Sequence, residues 1–161
     1  MIKEIAFADV QHEMDNTRRI LERIPENLTF QPHTRSGTLG NLAQHVATLP
    51  SLFERVASVD EVDLMKWQRP PQLDKASEIL ALFDESRDKA MAALEKMTDD
   101  DLSKTWTLRM GEQVIFSMPR FSALRTFAIS HIVHHRAQLS VYLRLLDVPV
   151  PGLYGPSADE K

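Results

Sequence analysis

"HIVHHRAQLS", residues 131–140, places three of the chain's six histidines within five positions. Histidine has mediocre helix propensity. Yet the stretch sits inside a longer run, from about Ser122 to Leu146, whose apolar residues recur at helical spacing. Pro149 and Pro151 lie just past its end, where a residue without a backbone N–H can no longer extend a helix. The imidazoles therefore ride on a helix for some reason other than making it.

Working outward, three more segments show the same periodicity. The first spans about Ile5 to Ile24, with Ile5, Val10, Met14, Ile20 and Leu21 apolar, and Pro25 stops it. The second starts at Thr38, a plausible N-cap, and runs to about Val56 through Leu42, Val46, Leu49, Leu52 and Phe53. Pro50 interrupts it, removes a hydrogen bond to the Val46 carbonyl and predicts a kink there. The third follows Asp74 and carries Ile79, Leu80, Leu82, Phe83, Met91 and Leu94. Asp99, Asp100 and Asp101 read as a solvated loop after it, with one aspartate capping the next turn.

"TWTLRMGEQVIFSMP", residues 105–119, alternates apolar and polar side chains about Gly111 and predicts a short β-hairpin before the last helix. Four long helices and one strand pair define an all-α fold, a four-helix bundle. Trp67 and Trp106 are expected at its ends, where either can wall a pocket. The 161 residues suit a single domain, 1–161, large enough to bury a core without staples.

Composition removes several function classes. The formal charge is −4 with a pI near 5.8, which argues against a nucleic-acid binder. No stretch approaches the length of a membrane span. The first residues acquire acids at once and form no apolar signal region, so a cytoplasmic protein is expected. There is no cysteine, hence no disulfide framework and no thiolate metal site. Any sulfur chemistry must use a thiol from outside the chain.

On a wheel of about 100° per residue centred on His131, His135 falls at about 40°, beside Leu124, Ala128, Tyr142 and Leu146. His134 lies at the edge of that face. On the second helix His45 falls with Leu42 and Leu49. Three histidines on two helices thus aim at one bundle interior. A buried unpaired imidazole is costly, and a divalent metal relieves the cost by taking neutral ring nitrogens as ligands. The i, i+4 spacing of His131 and His135 lets both reach one ion, with His45 as a third ligand and at least one position open. The competing reading is a hydrogen-bonded network of core histidines. His12 and His33 read as ordinary polar positions.

These residues resemble a known family. "GNLAQHVA", and "HIVHHRAQLS" with the tail "YGPSADE", are similar to the DinB-like superfamily, whose last bundle helix carries H-x-x-H-H-R-G-Q-L. Ala137 stands here in place of the usual glycine. The resemblance implies an up-down-down-up bundle with one long crossover, a homodimer, and a divalent transition metal on His45, His131 and His135. Zinc or nickel leads, with iron, manganese and copper as alternatives. It also implies, as leading chemistry, thiol-dependent S-transfer with a low-molecular-weight thiol as cosubstrate. His134, Gln138 and Tyr142 are the candidates for orienting a ligand, and no catalytic residue is identified. Two alternatives stand beside this one: metal-dependent hydrolysis of a small substrate, and a non-catalytic stress-linked protein that binds a small molecule.

Overall fold

The computed structural model describes residues 2–68 and 70–160; the side chains of Ile2, Lys3, Ile5 and Ala6 lie outside the described ones, and with them the apolar role expected of Ile5. Helix α1, Ile2–Leu21, buries Val10, Met14, Thr17 and Leu21, a four-three-four spacing that keeps one stripe against the core. Helix α2, Leu39–Thr48, begins at Thr38, whose Oγ1 accepts from the Asn41 N–H at 3.2 Å.

Pro50 does more than kink the next stretch. It occupies the first position of a separate helix, α3, Pro50–Ser58, and Leu49 forms the joint. Proline tolerates that position because the N–H it lacks would have no intrahelical partner there. Leu49 N–H donates to Val46 and Leu52 N–H donates to Leu49, so the joint stays hydrogen-bonded.

Helix α4, Ala76–Glu95, buries Ile79, Phe83, Ala90 and Leu94 and packs on α1, α2 and α3. The aspartate run is not a loop. It forms the short helix α5, Asp99–Ser103, closed by a capping box between Thr98 and Asp101. Lys104 and then Thr98 hydrogen-bond the Asp101 carboxyl and hold it well below the usual carboxylate range.

The expected strand pair forms as β2, Thr105–Met110, antiparallel to β3, Gln113–Pro119. The connection turns at Gly111, whose φ of +60° suits glycine. A third strand joins them that the sequence does not announce. β1, Glu61–Asp63, pairs parallel to the other edge of β2 and makes a mixed sheet of order β1-β2-β3. Three residues carry too little alternation to signal a strand. Asp63 holds it in place by accepting from the N–H groups of Gly111 and Met65, each at 3.0 Å. Trp106 does not cap an end: it is fully buried, and joins the sheet to the helical core. Trp67 lies partly buried beneath Arg55, 4.4 Å from its ring centre.

The last helical run begins with one α-turn, α6, Arg120–Ser122. It continues as a π-helical segment, Ala123–Ile129, and ends as α7, Ser130–Leu145. The buried stripe of α7 is Ile132, Arg136, Leu139 and Leu143. Arg136 is an arginine in the core. Its guanidinium donates to the Glu13 carbonyl at 3.0 Å, to Thr17 Oγ1 at 3.1 Å and to the Glu13 carboxylate at 2.6 Å. The Tyr154 hydroxyl also receives from it, and donates in turn to Glu13 at 2.7 Å. That paired network supplies the partners a buried charge needs and ties the C-terminal tail to α1 and α7. Among the described residues, no helix is long and apolar enough to cross a membrane.

Candidate metal centre

α2 and α7 pack side by side, and the contact brings His45 to His131 and His135. The ring centres lie 5.3 Å (His45–His131), 4.5 Å (His45–His135) and 4.8 Å (His131–His135) apart. One ring nitrogen from each falls within 4.8 Å of the others, so the three form a group able to hold a metal ion. Nε2 of His45 and Nε2 of His131 are 3.3 Å apart. Two imidazole nitrogens bound tetrahedrally to one zinc ion, each at ~2.0–2.1 Å, would stand about 3.3 Å apart. The donor set fits as well, because neutral imidazole suits divalent transition metals.

Gln138 organises the neighbouring nitrogens. His135 Nδ1–H donates to Gln138 Oε1 at 2.8 Å, which fixes the tautomer that leaves Nε2 with a free lone pair. The same amide donates from its Nε2 to His134 Nε2 at 3.1 Å. Burial first, then the nearby His135 and His134, push the His131 pKa down, favouring the neutral form a metal needs. His134 is exposed and reaches the group through Gln138 and through the edge of the His135 ring, 4.8 Å away centre to centre. Tyr142 is engaged elsewhere. Its hydroxyl donates to the Gly37 carbonyl at 3.1 Å and its ring meets Phe30 edge-on.

The inward aim drawn on the helical wheel needs correction. His45 is exposed, and His131 and His135 are half-buried. The core stripe of α7 lies one residue further on, about 100° around the helix. Leu124 and Ala128 pull the wheel the wrong way because they belong to the π-helical segment, whose wider turn changes the phase before His131. On α2 the buried positions are Leu39, Gly40, Ala43, Gln44, Val46 and Ala47. Small residues make its tightest contacts, and a Cβ on Gly40 would already meet Leu28 at 3.0 Å. The site is thus an open cluster at the edge of the core.

Sequence reasoning does not find the aromatic neighbours of His131. Phe127 lies 5.7 Å from the His131 ring, and Phe116 lies 5.3 Å from Phe127. The signal is present in Phe127, which stands four residues before His131 and so shares its face at the same i, i+4 spacing as His135. A separate cavity of about 460 Å³ lies between α3 and α4 and includes Glu54, Lys89 and Arg120 in its lining. It shares no residue with the histidine group. Three of its charges are paired already, Lys89 with Glu85, Arg120 with Asp60 and Asp101 with Lys104.

The chain belongs to the DinB family: that family's model matches residues 3–161. It is similar to the Bacillus subtilis (strain 168) protein YrdA, with 27% identity over 151 residues, covering 93% of this chain and 86% of that protein. The crystal structure of a DinB-like protein from Bacillus cereus ATCC 10987 superposes with a TM-score of 0.72 at 24% identity, covering 89% of this chain and 92% of that one. The crystal structure of the DinB-like protein YjoA from Bacillus subtilis also gives 0.72, at 18% identity, over 97% of this chain and 98% of that one. The overall fold is shared with both.

Proposed function

We propose that this chain is a divalent-metal-binding protein whose His45, His131 and His135 hold the ion, and that it acts as a metal-dependent thiol S-transferase. The observation that carries the reading is the convergence of three ring nitrogens from two helices, with Gln138 fixing the tautomer of one. Three protein ligands leave a fourth position open, the pattern of catalytic rather than structural sites. A bound divalent ion supplies Lewis acidity, which lowers the pKa of a thiol placed there. The chain has no cysteine, so that thiol is a separate small molecule. The exchange forms a sulfur–carbon bond, breaks the bond from that carbon to its leaving group, and releases the thiol's proton to solvent. Zinc and nickel head the candidate ions, ahead of iron, manganese and copper.

At the level of the whole molecule, we read α1, α2 with α3, α4 and α7 as an up-down-down-up bundle with its long crossover between α3 and α4. The parallel pairing of β1 with β2 supports this, because one strand follows α3 and the other follows α4 through α5. We also read the working form as a cytoplasmic homodimer, with exposed Val141 and Leu145, 58% and 57% accessible on one face of α7, as apolar contacts for a second copy. A dimer mass by light scattering at micromolar concentration is expected, and a monomer would contradict it.

The chemistry is tested with monobromobimane and 1-chloro-2,4-dinitrobenzene against a panel of small thiols. Thiol-dependent loss of the electrophile above the rate of metal-stripped protein is expected. No such rate with any thiol, from protein that holds its metal, would overturn the transferase reading. Turnover of esters or amides without thiol would then favour hydrolysis.

A further inference from the structure

We propose that Phe127 and Phe116 form an aromatic wall beside His131, on which the flat aromatic or conjugated part of the site's small-molecule substrate lies. This names a substrate class and rests on the histidine group being the reaction centre.

The rings form an unbroken path. Trp106 is fully buried at its root. Phe116 is 5.9 Å and Phe127 6.3 Å from Trp106, and the two phenylalanines meet at 5.3 Å with their planes 67° apart. Phe127 then meets His131 at 5.7 Å. Phe116 and Phe127 are only partly buried, and the path ends at the half-buried imidazoles. A ring face of this kind attracts another flat π-system, offset or edge-on, beyond what its buried area provides.

The backbone gives a second, independent reason. Phe127 stands in the π-helical segment Ala123–Ile129 that feeds straight into α7. π-Helical turns are rare and recur at functional sites. Within and beyond it, Leu124 and Ala128 stay in the core while Phe127 meets His131. The aromatic wall comes from the sheet through Phe116 and from the π segment through Phe127. The polar side of the site comes from α7 through Gln138 and His134. A substrate with an apolar flat body and a polar reacting end matches that division.

The test uses 2,4-dinitrotoluene, an unreactive nitroaromatic that quenches tryptophan. It is titrated into the purified full-length protein carrying Trp67→Phe, so that Trp106 is the one reporter. The metal content of each sample is measured alongside. Saturable quenching is expected. Phe127→Ala should raise the dissociation constant about five- to tenfold, and Phe127→Leu, which keeps most of the volume, by less. Metal content and helical signal should be unchanged in both. No saturable quenching, or the same dissociation constant in Phe127→Ala as in its parent, would overturn the wall. Metal bound without quenching defeats this inference alone. Phe127-dependent quenching in a protein that takes up no metal defeats the metal reading alone.

Discussion

At the scale of single residues, Gln138 links two of the clustered histidines. Its amide oxygen accepts a hydrogen bond from the His135 Nδ1–H, and its nitrogen donates to His134. Removing such a partner of a metal-binding histidine weakens metal binding by about 10–100-fold. Gln138→Ala should therefore lose affinity to that degree in a chelator-competition titration while its circular dichroism stays unchanged. An unchanged affinity would mean that His135 needs no orienting partner. The histidines are legible in the sequence because the i, i+4 spacing of His131 and His135 puts both rings on one side of a helix; Gln138 reads there only as a candidate for orienting a ligand, and its bond to His135 comes from the structure. Their burial is not legible. Whether an imidazole lies in the core or at its edge turns on one step around the helix, and the π-helical segment shifts that step.

At the scale of elements, α2 matters because it brings His45 to α7. Its start rests on Thr38, whose Oγ1 accepts from Asn41 N–H. Thr38→Ala should cost about 1 kcal/mol in urea unfolding, the usual effect of losing an N-cap. A cost near zero would show that packing against α4 and α7 holds the helix start without the cap. The helices themselves are readable from periodicity, and their ends from Thr38, Pro25 and the prolines after Leu146. The split at Leu49 is half-readable: Pro50 announces a disturbance, but a kinked helix and two helices joined at one residue have the same sequence signature. β1 is unreadable, since its hydrogen bonds go to a strand more than forty residues away. The acidic run misleads because its three aspartates look solvated. The signal lies in Thr98 three residues before Asp101, the spacing of a capping box.

At the scale of the whole molecule, the C-terminal tail is a strap and not loose chain. Arg144 pairs with Asp159 at 2.6 Å, and Asp159 also accepts from the Val150 N–H at 2.9 Å. Tyr154 meets the buried Arg136–Glu13 pair, and Glu160 reaches Arg19 on α1 at 3.6 Å. The Arg144 side chain, followed by the Val150 N–H, lowers the Asp159 pKa to about 2 from 3.8. A carboxylate lowered in the folded state stabilises it above its unfolded value and loses that contribution as pH falls. The strap should accordingly loosen between about pH 4 and pH 2. The protection of the Val150 and Gly152 amides against hydrogen exchange, taken relative to their intrinsic rates, should fall over that window, and Asp159→Asn should show the lower protection already at neutral pH. Protection that does not depend on pH would place the strap's stability in the Tyr154 contacts instead. The tail "YGPSADE" is thereby explained by what its Tyr154, Asp159 and Glu160 grip.

The central claim is that three histidines from α2 and α7 hold one divalent ion. The most direct measurement is elemental analysis of the wild-type protein and of the His131→Ala, His135→Ala double variant, both prepared without a polyhistidine tag or a chelating column. Roughly one transition-metal ion per chain is expected in the wild type, with its loss from a double variant that keeps its helical signal. A wild type that holds no metal after incubation with zinc or nickel and desalting would contradict the account. The cluster would then be a hydrogen-bonded group of imidazoles at the edge of the core.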